Sequence, residues 1–162
     1  MGEAIETAKA AADNAQVLGF GRLLGAANRL EYLLGRAIEE QCGITHLMYE
    51  VLLILARAGE PGLSMRAISR EQVLTTGGVT RLIDRMEDAG LVVRTENPED
   101  RRGRLVRLTS AGEAKAVEAT QVHLENIQRY FIAPLPVDHR QRFADDLRIL
   151  SHSARDAIPR LR

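Results

Sequence analysis

Apolar residues recur at helical spacing near both ends of this chain. One stripe runs from about residue 17 to 41, and its members are Leu23, Ala27, Leu30, Leu34 and Ala37. A second stripe lies on a helix expected at about 137–157. Its members are Phe143, Leu147, Leu150, Ala154 and Ile158. Because steps of three and four place residues on one side of a helix, the spacing predicts a long helix at each end.

Three shorter helices are predicted in the centre, each behind a Ser or Thr that can cap it. They cover 46–58 behind Thr45, about 65–71 behind Ser64, and a segment that begins at Thr75 or Thr76 and ends at residue 89. Gly43 interrupts the first long helix, and Gly90 stands at the position where glycine commonly ends a helix. The run VLLIL inside 46–58 is apolar on all sides, which predicts burial.

Two strand-like runs follow, at 91–95 and 104–109, and the turn between them contains Pro and Gly. This pattern predicts a β-hairpin. Ser110 is expected to cap a further helix at about 111–131, which Pro134 and Pro136 end. A short helix, a turn, a second helix and a hairpin form the winged helix-turn-helix arrangement. The predicted fold is therefore mainly α with a small β-hairpin wing.

The helix at 76–89 separates into two faces at 100° per residue. Its apolar side holds Val79, Leu82, Ile83, Met86 and Ala89, with Gly78. Its polar side holds Thr76, Gly77, Thr80, Arg81, Asp84, Arg85, Glu87 and Asp88. Small residues let a helix enter the DNA major groove, where Arg81 and Arg85 can reach base edges or phosphates. The alternative interpretation is an ordinary solvated surface.

Basic residues are concentrated at the predicted hairpin. The chain has 22 basic and 22 acidic residues, yet four of the seven residues at 101–107 are Arg. A local basic loop on a neutral protein is typical of a recognition element. The predicted tip, Asp100-Arg101-Arg102-Gly103-Arg104, can place one cation in the narrow minor groove and others on flanking phosphates. The tip follows directly after a helix that suits the DNA major groove. The alternative interpretation, a solvated charge cluster, is therefore less favoured.

Composition excludes several other classes of protein. With three Tyr, three Phe and no Trp, the chain lacks the aromatic residues of a single-strand stacking platform. A phosphate-binding glycine loop, a nucleophile elbow and paired catalytic carboxylates are absent, so no enzyme is expected and no cofactor. No apolar run reaches the roughly 18 residues of a membrane span, and the N-terminus lacks a signal-peptide pattern. A cytoplasmic protein without membrane contact is expected.

Residues 74–109, LTTGGVTRLIDRMEDAGLVVRTENPEDRRGRLVRLT, resemble the DNA-binding core of MarR-family regulators. The patterns TRLIDRMEDAGLV and EDRRGRLVRLT have the family's spacing. The resemblance implies a minor-groove role for Arg102, with Asp100 orienting the neighbouring arginines. The further DNA contacts that it implies are Thr75, Thr76, Gly77, Thr80, Arg81 and Arg85.

The same resemblance implies one MarR-type domain over 1–162 that forms a homodimer. Segments 1–42 and 111–162 would supply the dimerisation helices, in agreement with their apolar stripes, and 44–109 the DNA-binding lobe. It implies a repressor that binds a pseudopalindromic operator in double-stranded DNA and is released by a small molecule. The alternative is a winged-helix module for protein contacts. Such a module would expose an apolar face on the helix at 76–89.

Metal and redox responses are further alternatives. Cys42, His46 and Glu50 are spaced by four, and His123 lies on the fifth helix, but zinc takes four close ligands and the set is incomplete. A structural role for the histidines and a salt bridge from Glu50 to an Arg of the first helix are favoured. The family's hydroperoxide sensors carry their Cys well inside the first helix, unlike Cys42 at a helix junction. No nearby Lys or Arg is evident to lower its pKa.

Overall fold

The computed structural model describes residues 5–72, 76–97 and 103–157. Within these ranges the chain forms seven α-helices and three β-strands. The helices are α1 (Ala8–Ala12), α2 (Ala15–Cys42), α3 (His46–Ala58), α4 (Met65–Gln72), α5 (Thr76–Asp88), α6 (Ser110–Ile127) and α7 (Arg140–Ala157). The strands are β1 (Leu63–Ser64), β2 (Val92–Glu96) and β3 (Arg104–Leu108). The chain divides into two compact units, one up to Leu124 and one from Glu125.

Three predicted helix ends are confirmed by their caps, at Thr45, Ser64 and Gly43. The Thr45 hydroxyl accepts a hydrogen bond from the Met48 N–H at 3.3 Å, and the Ser64 hydroxyl accepts one from Ala67 at 3.2 Å. Gly43 ends α2 in the left-handed conformation. α5 begins at Thr76 and ends one residue earlier than predicted, while the other proposed cap, Thr75, lies outside the described residues.

The predicted cap of α6 is wrong by one residue. Ser110 is the first residue of α6, and the hydroxyl of Thr109 accepts the hydrogen bond from the Gly112 N–H at 3.0 Å. The same hydroxyl donates to the Gly90 carbonyl at 2.6 Å, while the Thr109 N–H donates to the Leu91 carbonyl at 3.1 Å. Thr109 therefore joins the start of α6 to the turn that follows α5.

The hairpin is confirmed, but it belongs to a three-stranded antiparallel sheet in the order β1-β3-β2. In the ladder of β2 and β3, Arg94 lies opposite Val106 and Glu96 opposite Arg104. Strand β1, whose Leu63 pairs with Val106, was not predicted from the sequence. This strand is two residues long, which is too short for an alternating pattern to predict it.

The core of the first unit lies between α2, α3, α4, α5, the sheet and the start of α6. Its fully buried side chains are Ile38, Val51, Leu52, Ile68, Val79, Ile83, Met86, Val92 and Val106. The run VLLIL is only partly buried, in contrast to the prediction, because Leu53 and Ile54 retain partial exposure.

Gly112 lies so close to the residue before β2 that an added Cβ would lie 2.0 Å from the Leu91 carbonyl oxygen. This close approach excludes any larger side chain there.

The second unit contains the end of α6, a π-helical turn at Gln128–Ile132, a 3-10 turn at Val137–His139 and α7. The rings of Phe131 and Phe143 pack with centroids 6.0 Å apart. Arg140 donates a hydrogen bond to the Leu135 carbonyl at 3.1 Å, which fixes the turn before α7. No residue of α7 is fully buried, so its apolar stripe remains accessible in the single chain.

Candidate nucleic-acid interface

α5 buries one side completely and exposes the other. Val79, Ile83 and Met86 have no accessible surface and anchor the helix to the core. Gly77, Thr80, Arg81 and Arg85 are exposed, as the sequence analysis predicted. Two residues assigned to the apolar side, Gly78 and Ala89, are exposed instead, because they lie at the border of that side near the helix ends.

The exposed side of α5 offers cations in an accessible position. Arg81 and Arg85 form no ion pair with any residue that the structure describes. An apolar patch, the mark of a protein-interaction helix, is not found among the described residues of this side, which carries Gly, Thr, Arg and Asp. Exposed hydroxyl and guanidinium groups of this kind can donate hydrogen bonds to phosphates and base edges.

The base of the wing is formed by β2 and β3. Its ladder continues to a hydrogen bond from the Asn97 N–H to the Gly103 carbonyl at 3.3 Å. Arg104 is exposed and lies 3.7 Å from the carboxylate of Glu96, its partner across the strands. The predicted tip residues Asp100, Arg101 and Arg102 lie outside the described residues.

An ion-pair network that the sequence analysis missed links the wing to α5. Arg94 of β2 donates one side-chain hydrogen bond to Asp84, at 2.5 Å, and another to Glu87. Its backbone N–H donates to the other oxygen of Glu87 at 3.1 Å. Burial opposes the charge of Arg94, but its hydrogen bonds to Asp84 and Glu87 and the negative charges of these carboxylates outweigh the burial and raise the guanidinium pKa. The three residues are hereafter called the Arg94 clamp.

Comparison with known proteins identifies the family. Residues 42–103 match the MarR family model. The multiple antibiotic resistance protein MarR of Salmonella typhimurium is 31% identical over 101 residues, which cover 61% of this chain and 67% of that protein. The chain belongs to the MarR family. The predicted fold, a mainly α winged helix-turn-helix protein, is confirmed. As a member of this family the protein is a DNA-binding transcription regulator.

Other MarR-type proteins extend this comparison. PapX of Escherichia coli, an HTH-type transcriptional regulator, is 41% identical over 70 residues, so the match spans only 43% of each chain. The crystal structure of Sco3205 from Streptomyces coelicolor, a MarR family regulator in complex with DNA, has a TM-score of 0.78 at 24% identity. It covers 92% of this chain and 99% of that one, which shows that the two share the fold.

The metal-ligand candidates of this MarR family member do not form a metal-binding group among the described residues. His46 and His123 come together with ring centroids 5.5 Å apart, and Tyr49 lies 5.1 Å from His123. Cys42 is buried in the apolar core, and the described residues contain no group of three His, Cys, Asp or Glu side chains able to hold a metal. The Nδ1 atom of His123 is buried and has no hydrogen-bond partner there.

The predicted salt bridge of Glu50 is wrong. Among the described residues Glu50 forms no ion pair, and Arg36 of α2 pairs with Glu40 on its own helix. Arg36 and Glu40 are one helical turn apart, so their pairing needs no contact between helices.

Cys42 lies in an environment that suppresses thiolate chemistry. Burial raises the pKa of its thiol, and the charge of Glu118 adds to this effect. Lys115, whose ammonium donates to the Cys42 carbonyl at 3.1 Å, opposes the rise without reversing it. Lys115 is distant from Cys42 along the chain, so this cation was not predicted from the sequence. A thiol that remains protonated is a poor nucleophile, which weakens the redox alternative.

Among the described residues, no helix combines the length and the apolar character that crossing a membrane requires.

Proposed function

We propose that this protein is a homodimeric transcription repressor that binds a pseudopalindromic DNA operator and is released by a small-molecule effector. The observation that carries the proposal is the division of α5, in which Val79, Ile83 and Met86 anchor one side and Arg81 and Arg85 are presented on the other. A rigidly packed helix with small and cationic exposed residues is suited to the major groove.

Contacts to DNA are proposed for both elements of the winged helix. On α5 and the residue before it they are Thr75, Thr76, Gly77, Thr80, Arg81 and Arg85. On the wing they are Asp100, Arg101, Arg102 and Arg104, with Arg102 in the minor groove and Asp100 orienting its neighbours. The exposed position of Arg104 beside Glu96 supports a phosphate contact that replaces a weak surface ion pair on binding.

Exposed apolar side chains support the homodimer. In the first half of α2, Phe20 is 62% exposed, and Val17, Leu18, Leu23 and Leu24 are also exposed. On α7, Ile149 and Leu150 are 63% and 55% exposed. Soluble chains rarely leave such sets in water, and a two-fold interface would cover the same surfaces on both copies. A two-fold dimer would then address half-sites about 10 base pairs apart.

A surface cavity supports the effector part of the proposal. It has a volume of about 380 Å³, within the range of ligand sites, and is lined by residues of α2 from Asn28 to Glu39 together with His46. Tyr32 offers an aromatic surface, while Arg36, Glu31 and Glu39 offer charges. Because the cavity adjoins the helix proposed for dimerisation, an occupant there can change how two copies pair.

A genome-wide footprint of the bound protein, combined with transcript measurements after deletion of its gene, tests the proposal. The expected result is a pseudopalindromic footprint and increased transcription of the adjacent genes in the deletion strain. Decreased transcription would assign an activator instead. Absence of any footprint would contradict DNA regulation and favour the protein-interaction module.

A further inference from the structure

The Arg94 clamp connects the two elements that the proposed function places on DNA. Asp84 and Glu87 are three residues apart on α5, so both carboxylates lie on the side of the helix that borders β2. Arg94 is 24% exposed, against 52% for Asp84 and 37% for Glu87, so the cation is the most shielded member. One guanidinium therefore bridges two carboxylates of α5 from the wing.

A backbone bond makes the connection more rigid. β2 is an edge strand of the sheet, and its Arg94 N–H, which β3 does not cover, donates to Glu87 at 3.1 Å. Glu87 is thus held by the side chain and the main chain of the same residue. Since main-chain atoms cannot change rotamer, this pair relates the direction of β2 directly to that of α5.

The fork of an arginine is needed for this geometry. Its planar group presents several donors at fixed angles and can hold two carboxylates at once, whereas a lysine is a single point charge on a flexible stem. Replacing Arg94 with Lys would preserve the charge but lose the defined angle between the strand and the helix.

We propose that Arg94 is a positioning residue for DNA binding, which holds the hairpin of β2 and β3 at the angle to α5 that lets both elements contact one DNA site. The inference rests on the proposed function and assigns no DNA contact to Arg94 itself. Its competing explanation is purely electrostatic: Arg94 would only neutralise two acids that otherwise repel the phosphates.

The test separates angle from charge. The wild-type dimer first selects a DNA duplex from a random-sequence pool. Affinities for this duplex and for an unselected duplex of equal length are then measured by fluorescence anisotropy at one salt concentration. The decisive variant is the triple Asp84→Asn, Glu87→Gln, Arg94→Met, which removes the clamp and both of its acids. Arg94→Lys is the second variant, because it keeps the charge and the helix acids intact.

We expect the triple variant to bind the unselected duplex at least as well as the wild type, since it carries less negative charge. Its affinity for the selected duplex should fall about tenfold or more, because α5 and the hairpin cannot both contact the duplex when the angle between them is wrong. Arg94→Lys should lose part of this selectivity. Wild-type affinity of both variants for the selected duplex would overturn the positioning role and leave the DNA-binding function intact.

Arg107→Met is the matched control. Arg107 is on the same hairpin and pairs with Glu60 at 2.9 Å, so its replacement removes one positive charge without touching α5. It should change the affinities for both duplexes by the same factor. Circular dichroism and thermal unfolding confirm the fold of each variant, and if the triple variant does not fold, Arg94→Lys decides alone. If the wild type enriches no duplex, the positioning role and the proposed function both fail.

Discussion

The imidazole of His123 on α6 lies 5.5 Å from that of His46 at the start of α3, measured between ring centroids. Burial of His123 lowers its pKa, and the charge of His46 lowers it further. Tyr49 packs against the same ring, and its hydroxyl lies 3.1 Å from that of Thr120. The surroundings of His123 therefore favour its neutral form, and acid should reduce the stability of the fold.

The folding stability should depend on pH through His123. In the unfolded chain a histidine protonates near its ordinary pKa of about 6.5, whereas the folded pKa of His123 is lower. The unfolded state then binds more protons between these two values, so the free energy of unfolding falls as the pH drops through this window. The contribution of His123 to the free energy of unfolding is constant above the unfolded pKa and below the folded one. Urea unfolding at a series of pH values measures this.

His123→Phe should remove this part of the pH dependence, because phenylalanine does not titrate and needs no partner for a buried nitrogen. His152→Gln is the matched control, since His152 is exposed on α7. An identical pH profile for wild type and His123→Phe would show that His123 is not the titrating group.

Helix and wing should contribute differently to DNA binding. Arg81→Ala should cost about 1–3 kcal/mol at the operator and relax specificity at one position per half-site, if Arg81 contacts a base edge. Arg102→Ala should weaken binding to most sequences by a similar factor, and flatten the log–log salt dependence by about one unit. Titrations of each variant at several salt concentrations measure both effects. Full affinity in both variants would exclude this surface as the DNA interface.

Dimerisation should depend on the exposed apolar residues of α7. Leu150→Glu places a charge where an apolar side chain is 55% exposed in the single chain, so the dimer should dissociate at micromolar concentration. His152→Glu is the control and should remain dimeric, because His152 is exposed on the side of α7 opposite Leu150. Light scattering measures the mass of each. A wild-type protein that is monomeric at micromolar concentration would refute the homodimer.

Gly112 should tolerate no side chain. An added Cβ would lie 2.0 Å from the Leu91 carbonyl oxygen, a backbone atom that cannot move aside cheaply. Gly112→Ala should therefore reduce the free energy of unfolding by about 1–3 kcal/mol or more. Gly77→Ala has open space around the new methyl group and should be neutral or stabilising by up to about 1 kcal/mol. Equal unfolding midpoints in urea would show that the contact is not tight.

The local elements of this protein could be predicted from its amino-acid sequence. The bounds of α3, the apolar underside of α5, the glycine at its end and the hairpin all follow from helical or strand periodicity and from capping residues. Each of these signals depends on neighbours within a few positions, so it can be recognised without the fold. The same locality made the chemistry of the α5 surface predictable, from Gly77 to Arg85.

Contacts between residues that are distant along the chain depend on how the elements pack. β1 is a strand only because β3 lies beside it, and Thr109 rather than Ser110 caps α6 because the end of β3 directs it towards Gly90 and Leu91. Arg94 reaches Asp84 and Glu87, and His46 meets His123, through packing that brings separate elements into contact. Periodicity shows which side of an element is buried, but not which element covers it, so these partners followed only from the three-dimensional arrangement.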